Sequence, residues 1–140
     1  MPSISGKVVP ILTVTDLERS AAWYSELLGL TVYRNPGPDG RVGDISMVHP
    51  ASGLQLCLVG HTDTGADVFD ETRTGLDHLE FLVSTRDDLD DWAGRLSELG
   101  IPHSGVKGPE FTANAMITFR DPDNIQLEFF WYAPHETPKS

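Results

Sequence analysis

Residues 25–30 read Ser25-Glu26-Leu27-Leu28-Gly29-Leu30, and residues 97–101 read Ser97-Glu98-Leu99-Gly100-Ile101. Each reads as the end of an amphipathic helix, stopped by a glycine that can take the left-handed conformation. Working outward, the first helix runs back to about residue 16, with Thr15 as N-cap and Glu18 as its capping-box partner three residues on. The second covers about residues 86–99, capped by Ser84 or Thr85. Apolar, β-branched runs surround both: residues 7–14 before the first helix, then 31–34, 42–49 and 54–59. Around the second the runs are 76–84, then 103–107, 113–120 and 125–131. Both halves therefore read β-α-β-β-β.

The halves also match residue by residue. Gly29 and Gly100 stand 71 residues apart, as do Gln55-Leu56 and Gln126-Leu127, while Pro50 and Pro122 stand 72 apart. Matches at one offset, in one order of elements, argue for a duplicated module. The expectation is an α+β fold in one domain over residues 7–132. Module one spans about 7–59, a polar linker 60–75 and module two about 76–132, with a tail at 133–140.

The chain has 140 residues, enough for one core without staples. Lys and Arg total 10 against 21 Asp and Glu, a formal net charge of −11. Such a surface repels phosphate backbones and anionic lipid, so neither nucleic acid nor a membrane is an expected partner. No run approaches the length of a membrane span, and the N-terminus lacks signal-peptide features. Cys57 is the only cysteine, which excludes an intrachain disulfide and points to a reducing, cytoplasmic setting.

Side chains alternate across a strand, so each strand splits into two sets. Leu12 and Val14, then Leu54, Leu56 and Leu58, then Leu79, Phe81 and Val83, then Leu127, Phe129 and Trp131 form apolar sets suited to packing under the helices. The opposite sets are mixed: Val9, Ile11 and Thr13; Gln55, Cys57 and Val59; His78, Glu80 and Leu82; Gln126, Glu128 and Phe130. Neither Lys nor Arg occurs in these mixed sets, unlike an ordinary solvated sheet face. Their composition suits a ligand cup, mostly apolar with a few polar groups, lined by Val9, Ile11, Thr13, Gln55, Cys57, His78, Glu80, Gln126, Glu128 and Phe130. Trp23 and Trp92 lie on the helices and read as packing residues. The run Asp87-Asp88-Leu89-Asp90-Asp91 suits the start of the second helix through its dipole. His49 in a turn and His61 in the linker read as solvated, and His103 as a residue of the cup rim.

The stretch Val14-Thr15-Asp16-Leu17-Glu18-Arg19-Ser20, followed by Trp23-Tyr24 and Leu28-Gly29-Leu30, resembles the opening of the vicinal oxygen chelate superfamily. Gly75-Leu76-Asp77-His78-Leu79 and Asp121-Pro122-Asp123-Asn124-Ile125-Gln126-Leu127-Glu128 are similar to its second-module signatures. That superfamily includes glyoxalase I, extradiol dioxygenases, and fosfomycin- and bleomycin-resistance proteins. The resemblance implies tandem βαβββ modules whose mixed sheets curl into a cup with the helices on its convex side, often completed in a homodimer. It also implies metal ligands, in the metal-dependent members, on the first and last strands of the modules.

His78 and Glu128 match two of those ligand positions, a donor pair suited to Fe, Mn, Ni, Co or Zn. The internal repeat sets Val9 in the place of His78 and Cys57 in the place of Glu128, so module one offers valine and a lone thiol. Two donors fall short of the three protein ligands usual in a catalytic site. The leading expectation is a protein that binds a small, largely apolar molecule in the cup, as in resistance by sequestration, with no complete metal site and no cofactor. The alternative is a lyase, isomerase or dioxygenase that uses a divalent metal at His78 and Glu128, with a third donor from Cys57 or a partner subunit. A module for protein interaction is the third reading.

Overall fold

A computed structural model describes residues 1–38, 42–61, 67–108 and 114–134. Asp63 and the middle of the expected linker, Ala113 at the start of an expected strand, and most of the expected tail lie outside the described residues. The chain divides into two units, Met1–Asp67 and Val68–Ser140.

In the first unit β1 (Ile11–Thr13) leads into α1 (Leu17–Leu28), then β2 (Thr31–Pro36), β3 (Val42–Val48) and β4 (Gln55–Val59). The sheet order is β1-β4-β3-β2, with β1 parallel to β4 and the other pairs antiparallel. The ladder of β1 is shorter than the expected residues 7–14. Pro10 has no N–H to give; its carbonyl accepts from Cys57 N–H, and regular pairing starts one residue later. On one face of the sheet Leu12, Ile45, Met47, Leu56 and Leu58 are buried, and α1 packs there through Ala21, Tyr24, Leu27 and Leu28. Each such side chain contributes about 1.5–3 kcal/mol relative to exposure.

Asp16, not Thr15, caps α1: its side chain accepts from Arg19 N–H at 3.0 Å. Two adjacent residues could cap, and a carboxylate also gains from the helix dipole. The expected capping-box partner Glu18 turns away to grip Arg34 through both oxygens, at 2.8 and 2.7 Å. The helix stops at Gly29, which adopts φ 71°, as the glycine pattern predicts.

The second unit repeats the plan with β5 (Leu79–Leu82), α2 (Arg86–Glu98), β6 (Ala115–Arg120) and β7 (Gln126–Trp131) in the order β5-β7-β6. Thr85 caps α2 in a full capping box with Asp88, and Gly100 follows at φ 69°. The strand expected at residues 103–107 is reduced to two bridges, His103 to Phe119 and Lys107 to Met116. Gly105 between them takes φ 71°, and the Ser104 hydroxyl intercepts Thr118 N–H at 3.0 Å. Beneath α2, Phe129 is the centre of the core: Trp92 stacks on it at 4.2 Å and 13°, with Phe119 and Phe81 at 5.2 and 5.9 Å.

The turn before each last strand carries the one-residue slip between the two repeat offsets. His49 N–H bonds Leu54 C=O in the first unit and Asp121 N–H bonds Ile125 C=O in the second, a turn one residue shorter. Both end on a left-handed residue, Gly53 and Asn124. The second half of the expected linker is strapped onto that second turn. Phe69 N–H bonds Asp123 C=O, the Asn124 side chain donates to Phe69 C=O, and Arg120 pairs with Glu71 at 2.7 and 3.0 Å. No described helix is long and apolar enough to cross a membrane.

Candidate functional site

In the second unit, β5 and β7 run parallel with Glu80 opposite Glu128, so strand parity brings both carboxylates to the face away from α2. His78, two residues before Glu80, joins them. Its Nε2 lies 3.4 Å from Glu128 Oε2 and 3.8 Å from Glu80 Oε2. One ligating atom from each residue falls within 4.8 Å of the others. The other ring nitrogen, Nδ1, is 2.6 Å from the Asp77 carboxylate, which makes it the protonated one in the neutral ring and leaves Nε2 facing the glutamates. The outer oxygens are held as well. Gln126 Nε2 donates to Glu128 Oε1 and the Tyr132 hydroxyl to Glu80 Oε1, both at 3.4 Å.

The electrostatics follow from this crowding. Burial pushes the Glu128 carboxyl above the usual carboxylate range; His78 pulls the other way and Glu80 adds to the rise. The hydrogen bond to Asp77, helped by Glu128 and Glu80, holds the His78 imidazolium above its ordinary 6.5 against the opposing effect of burial. Burial, then Glu80, raises the Tyr132 phenol. Three carboxylates surround one imidazole, while the Arg120 guanidinium, which feels the Asp77 charge, is paired with Glu71.

Around the cluster the face is apolar: Leu82 is 65% exposed, and Phe130 lies 4.6 Å from the Tyr132 ring. A cavity of about 340 Å³ opens beside it, lined by His103, Ser104, Thr118, Arg120 and Gln126 among others. His103 does reach that cavity, but its nitrogens are spent on Ser97 Oγ and Gly105 N–H.

The first unit has the same ladder with different chemistry. Ile11 stands opposite Cys57 in β1 and β4, as Glu80 stands opposite Glu128. The residues Val9, Ile11 and Cys57 thus occupy the places of His78, Glu80 and Glu128. Val9, Ile11 and Thr13 are exposed, and Cys57 is buried, 3.5 Å from Ser46 Oγ and 3.9 Å from Gln55 Nε2. A polar row that sequence reasoning missed extends from there: Asn35 Nδ2 bonds Asp44 Oδ2 at 3.1 Å and Ser46 Oγ at 3.2 Å. A cavity of about 380 Å³ lies against Val9 and Gln55. His49 holds its own turn, its Nδ1 accepting from Ser52 N–H.

Three residues of the second-unit cluster escaped the sequence reading in their roles. Glu80 was expected only as a cup-lining residue, and Asp77 and Tyr132 were not expected at the site. The signal for Glu80 was present, since residues two apart in a strand share a face.

Two helix-backed sheets with a parallel first and last strand, in tandem, define a βαβββ repeat protein with a polar centre on its second sheet. A family model, the Glyoxalase/Bleomycin resistance protein/Dioxygenase superfamily, matches residues 6–129, and the chain belongs to that superfamily. A solved glyoxylase/bleomycin resistance protein/dioxygenase domain from Frankia sp. EAN1pec is 37% identical, covering 94% of this chain and 100% of its own, with a TM-score of 0.81. The fosfomycin resistance protein FosX from Listeria monocytogenes, solved with Mn(II) and sulfate, is 20% identical over 96% of this chain and 98% of its own, with a TM-score of 0.67. That likeness is one of fold. No curated protein matches the chain.

Proposed function

We propose that the chain binds a small, largely apolar molecule on the mixed face of its second sheet, with His78 and Glu128 as the groups that recognise the molecule's polar end. The observation that carries this reading is the placement of His78 Nε2 3.4 Å from a carboxylate that is only 8% exposed, on a face with Leu82 and Phe130. Polar groups of this kind at the centre of an apolar surface fix a ligand's orientation. A ligand hydroxyl, amine or carbonyl entering between them exchanges its water for two charge-assisted hydrogen bonds. The 340 Å³ cavity sharing Gln126 is large enough for a small ligand to extend into. Retention of the ligand, as in resistance by sequestration, needs nothing more than this.

A catalytic reading is supported by one feature, the joining of Glu80 to the pair. A divalent metal would supply Lewis acidity toward ligand oxygens. His78, Glu80 and Glu128 would hold it, and their donor types fit such an ion. In either reading two chains associate as a homodimer, the arrangement often found in this family, and light scattering at high micromolar concentration tests it.

Ligand-observed NMR against small apolar compounds bearing hydroxyl or carbonyl groups tests the main reading. Binders should weaken at least tenfold in His78→Ala and in Glu128→Gln, with the fold retained by circular dichroism. Binders indifferent to both substitutions overturn it.

A further inference from the structure

We infer that the molecule bound on the second sheet carries a second polar group, an uncharged carbonyl oxygen, and that Arg120 receives it in the cavity beside β6. The inference rests on the reading that His78 and Glu128 take the molecule's first polar group. It narrows the ligand class to a hydroxyl- or amine-bearing ester, lactone or amide rather than an acid.

The donors left over in that cavity carry the argument. His103 uses its nitrogens on Ser97 Oγ and Gly105 N–H. The Ser104 hydroxyl donates to Gly105 C=O and accepts from Thr118 N–H. Arg120, which also lines the cavity, differs. A guanidinium carries five N–H groups in one rigid plane. Nη1 donates to Glu71 Oε2 and to Asn124 C=O, and Nη2 to Glu71 Oε1. Among the described residues, Nε–H and the second Nη2–H have no acceptor. Glu71 grips the end of the plane with one oxygen on each Nη, so the two donors left over lie side by side along the Nε edge. They form a fork that closes on an incoming oxygen.

Strand register places Arg120 within reach of a molecule held at Glu128. Thr118 stands opposite Glu128 and Arg120 opposite Gln126 in the antiparallel ladder of β6 and β7. Arg120 therefore shares the face of the cluster and lies diagonal to Glu128, about 7–8 Å away. One substituted ring bridges such a separation, and a cavity of about 340 Å³ has room for it.

Charge decides against an acid. Glu71 already balances the guanidinium, and Asp77, Glu80 and Glu128 lie around His78 on the same face. A ligand carboxylate at Arg120 would add an anion to a neutral pair in a chain of net charge −11. A carbonyl oxygen adds no charge. Its two lone pairs accept both N–H groups, and a charged donor makes the stronger kind of hydrogen bond. Glu71 and Asn124 also hold the guanidinium before any ligand arrives, so little side-chain freedom is left to lose on binding.

Calorimetric titration of the full chain with methyl para-hydroxybenzoate, para-hydroxybenzoate and para-cresol tests the inference. Each carries a hydroxyl for His78 and Glu128, and only the ester has an uncharged carbonyl. The ester should bind about tenfold tighter than either of the others. In Arg120→Lys, which keeps a cation for Glu71 but has no planar fork, its advantage over the cresol should vanish. In Glu71→Gln the preference for ester over acid should fall about tenfold, because the guanidinium then has an unbalanced charge to offer the acid. An advantage over the cresol that persists in a folded Arg120→Lys protein overturns the inference. So does an ester-over-acid preference unchanged in Glu71→Gln. If ester binding depends on His78 and Glu128 but not on Arg120, the Arg120 inference alone has failed. If it depends on Arg120 but not on His78 or Glu128, the Arg120 subsite stands and the reading of the cluster has failed instead. A parent chain that binds none of the three compounds overturns both.

Discussion

Glu80 and Glu128 are direct partners in the parallel ladder of β5 and β7, two carboxylates held side by side on one sheet face. Like charges in that relation destabilise a sheet. Glu80→Gln should therefore stabilise the metal-free protein by about 0.2–1 kcal/mol. Urea unfolding of both forms measures this. A variant that is less stable than the parent would mean that Glu80 is already compensated within the chain.

Phe129 should be the costliest aromatic to remove. It is 1% exposed and touches Trp92, Phe119 and Phe81 at once. Phe129→Ala should cost about 3–5 kcal/mol in equilibrium unfolding. Trp92→Ala should cost less, because Trp92 is only partly buried and covers one side of that ring.

The helix cap offers a sharper comparison. Asp16→Ala should cost about 1 kcal/mol through the lost bond to Arg19 N–H. Thr15→Ala should change stability by less than about 0.5 kcal/mol, since Asp16 and not Thr15 accepts the helix N–H. Equal effects would restore Thr15 as the cap.

The strap between Glu71 and Arg120 sets a pH dependence. The guanidinium holds the Glu71 carboxyl down to about 2 from its ordinary 4.5. A carboxyl lowered on folding contributes stability that is fully present above about pH 4.5 and lost as pH falls toward about 2. The stability difference between the parent and Glu71→Gln should therefore be constant above pH 5 and vanish near pH 2. A difference that persists unchanged at pH 2 would show that the ion pair does not form.

Most of the fold was legible because the same instructions occur twice. The glycine stops at Gly29 and Gly100, and the alternation that buries Leu12, Leu56, Phe81 and Phe129, are local signals that survive without tertiary context. What the sequence hid were choices between near-equal options. Thr15 and Asp16 both cap well, and only the three-dimensional start of α1 selects one. The strand at residues 103–107 has the right composition, yet a serine hydroxyl and a left-handed glycine outcompete its ladder. At the site, His78 and Glu128 were visible as types in a pattern, but the Asp77 contact is a matter of rotamer. The hold of Tyr132 on Glu80 joins residues 52 apart, and no periodicity records such a contact.

The order of strands in the second sheet has a consequence for unfinished chains. Among the described strands β7 is made last, yet it lies between β5 and β6, and the only ladder of β5 among the described residues is with β7. Ribosomes expose β5 long before its partner exists. A chain that ends before Gln126 leaves Leu79-Glu80-Phe81-Leu82 as a bare strand with an apolar side, the kind of edge that pairs with another copy. A nonsense mutation between the codons for Leu82 and Gln126 would thus release an aggregation-prone product rather than a merely shortened one.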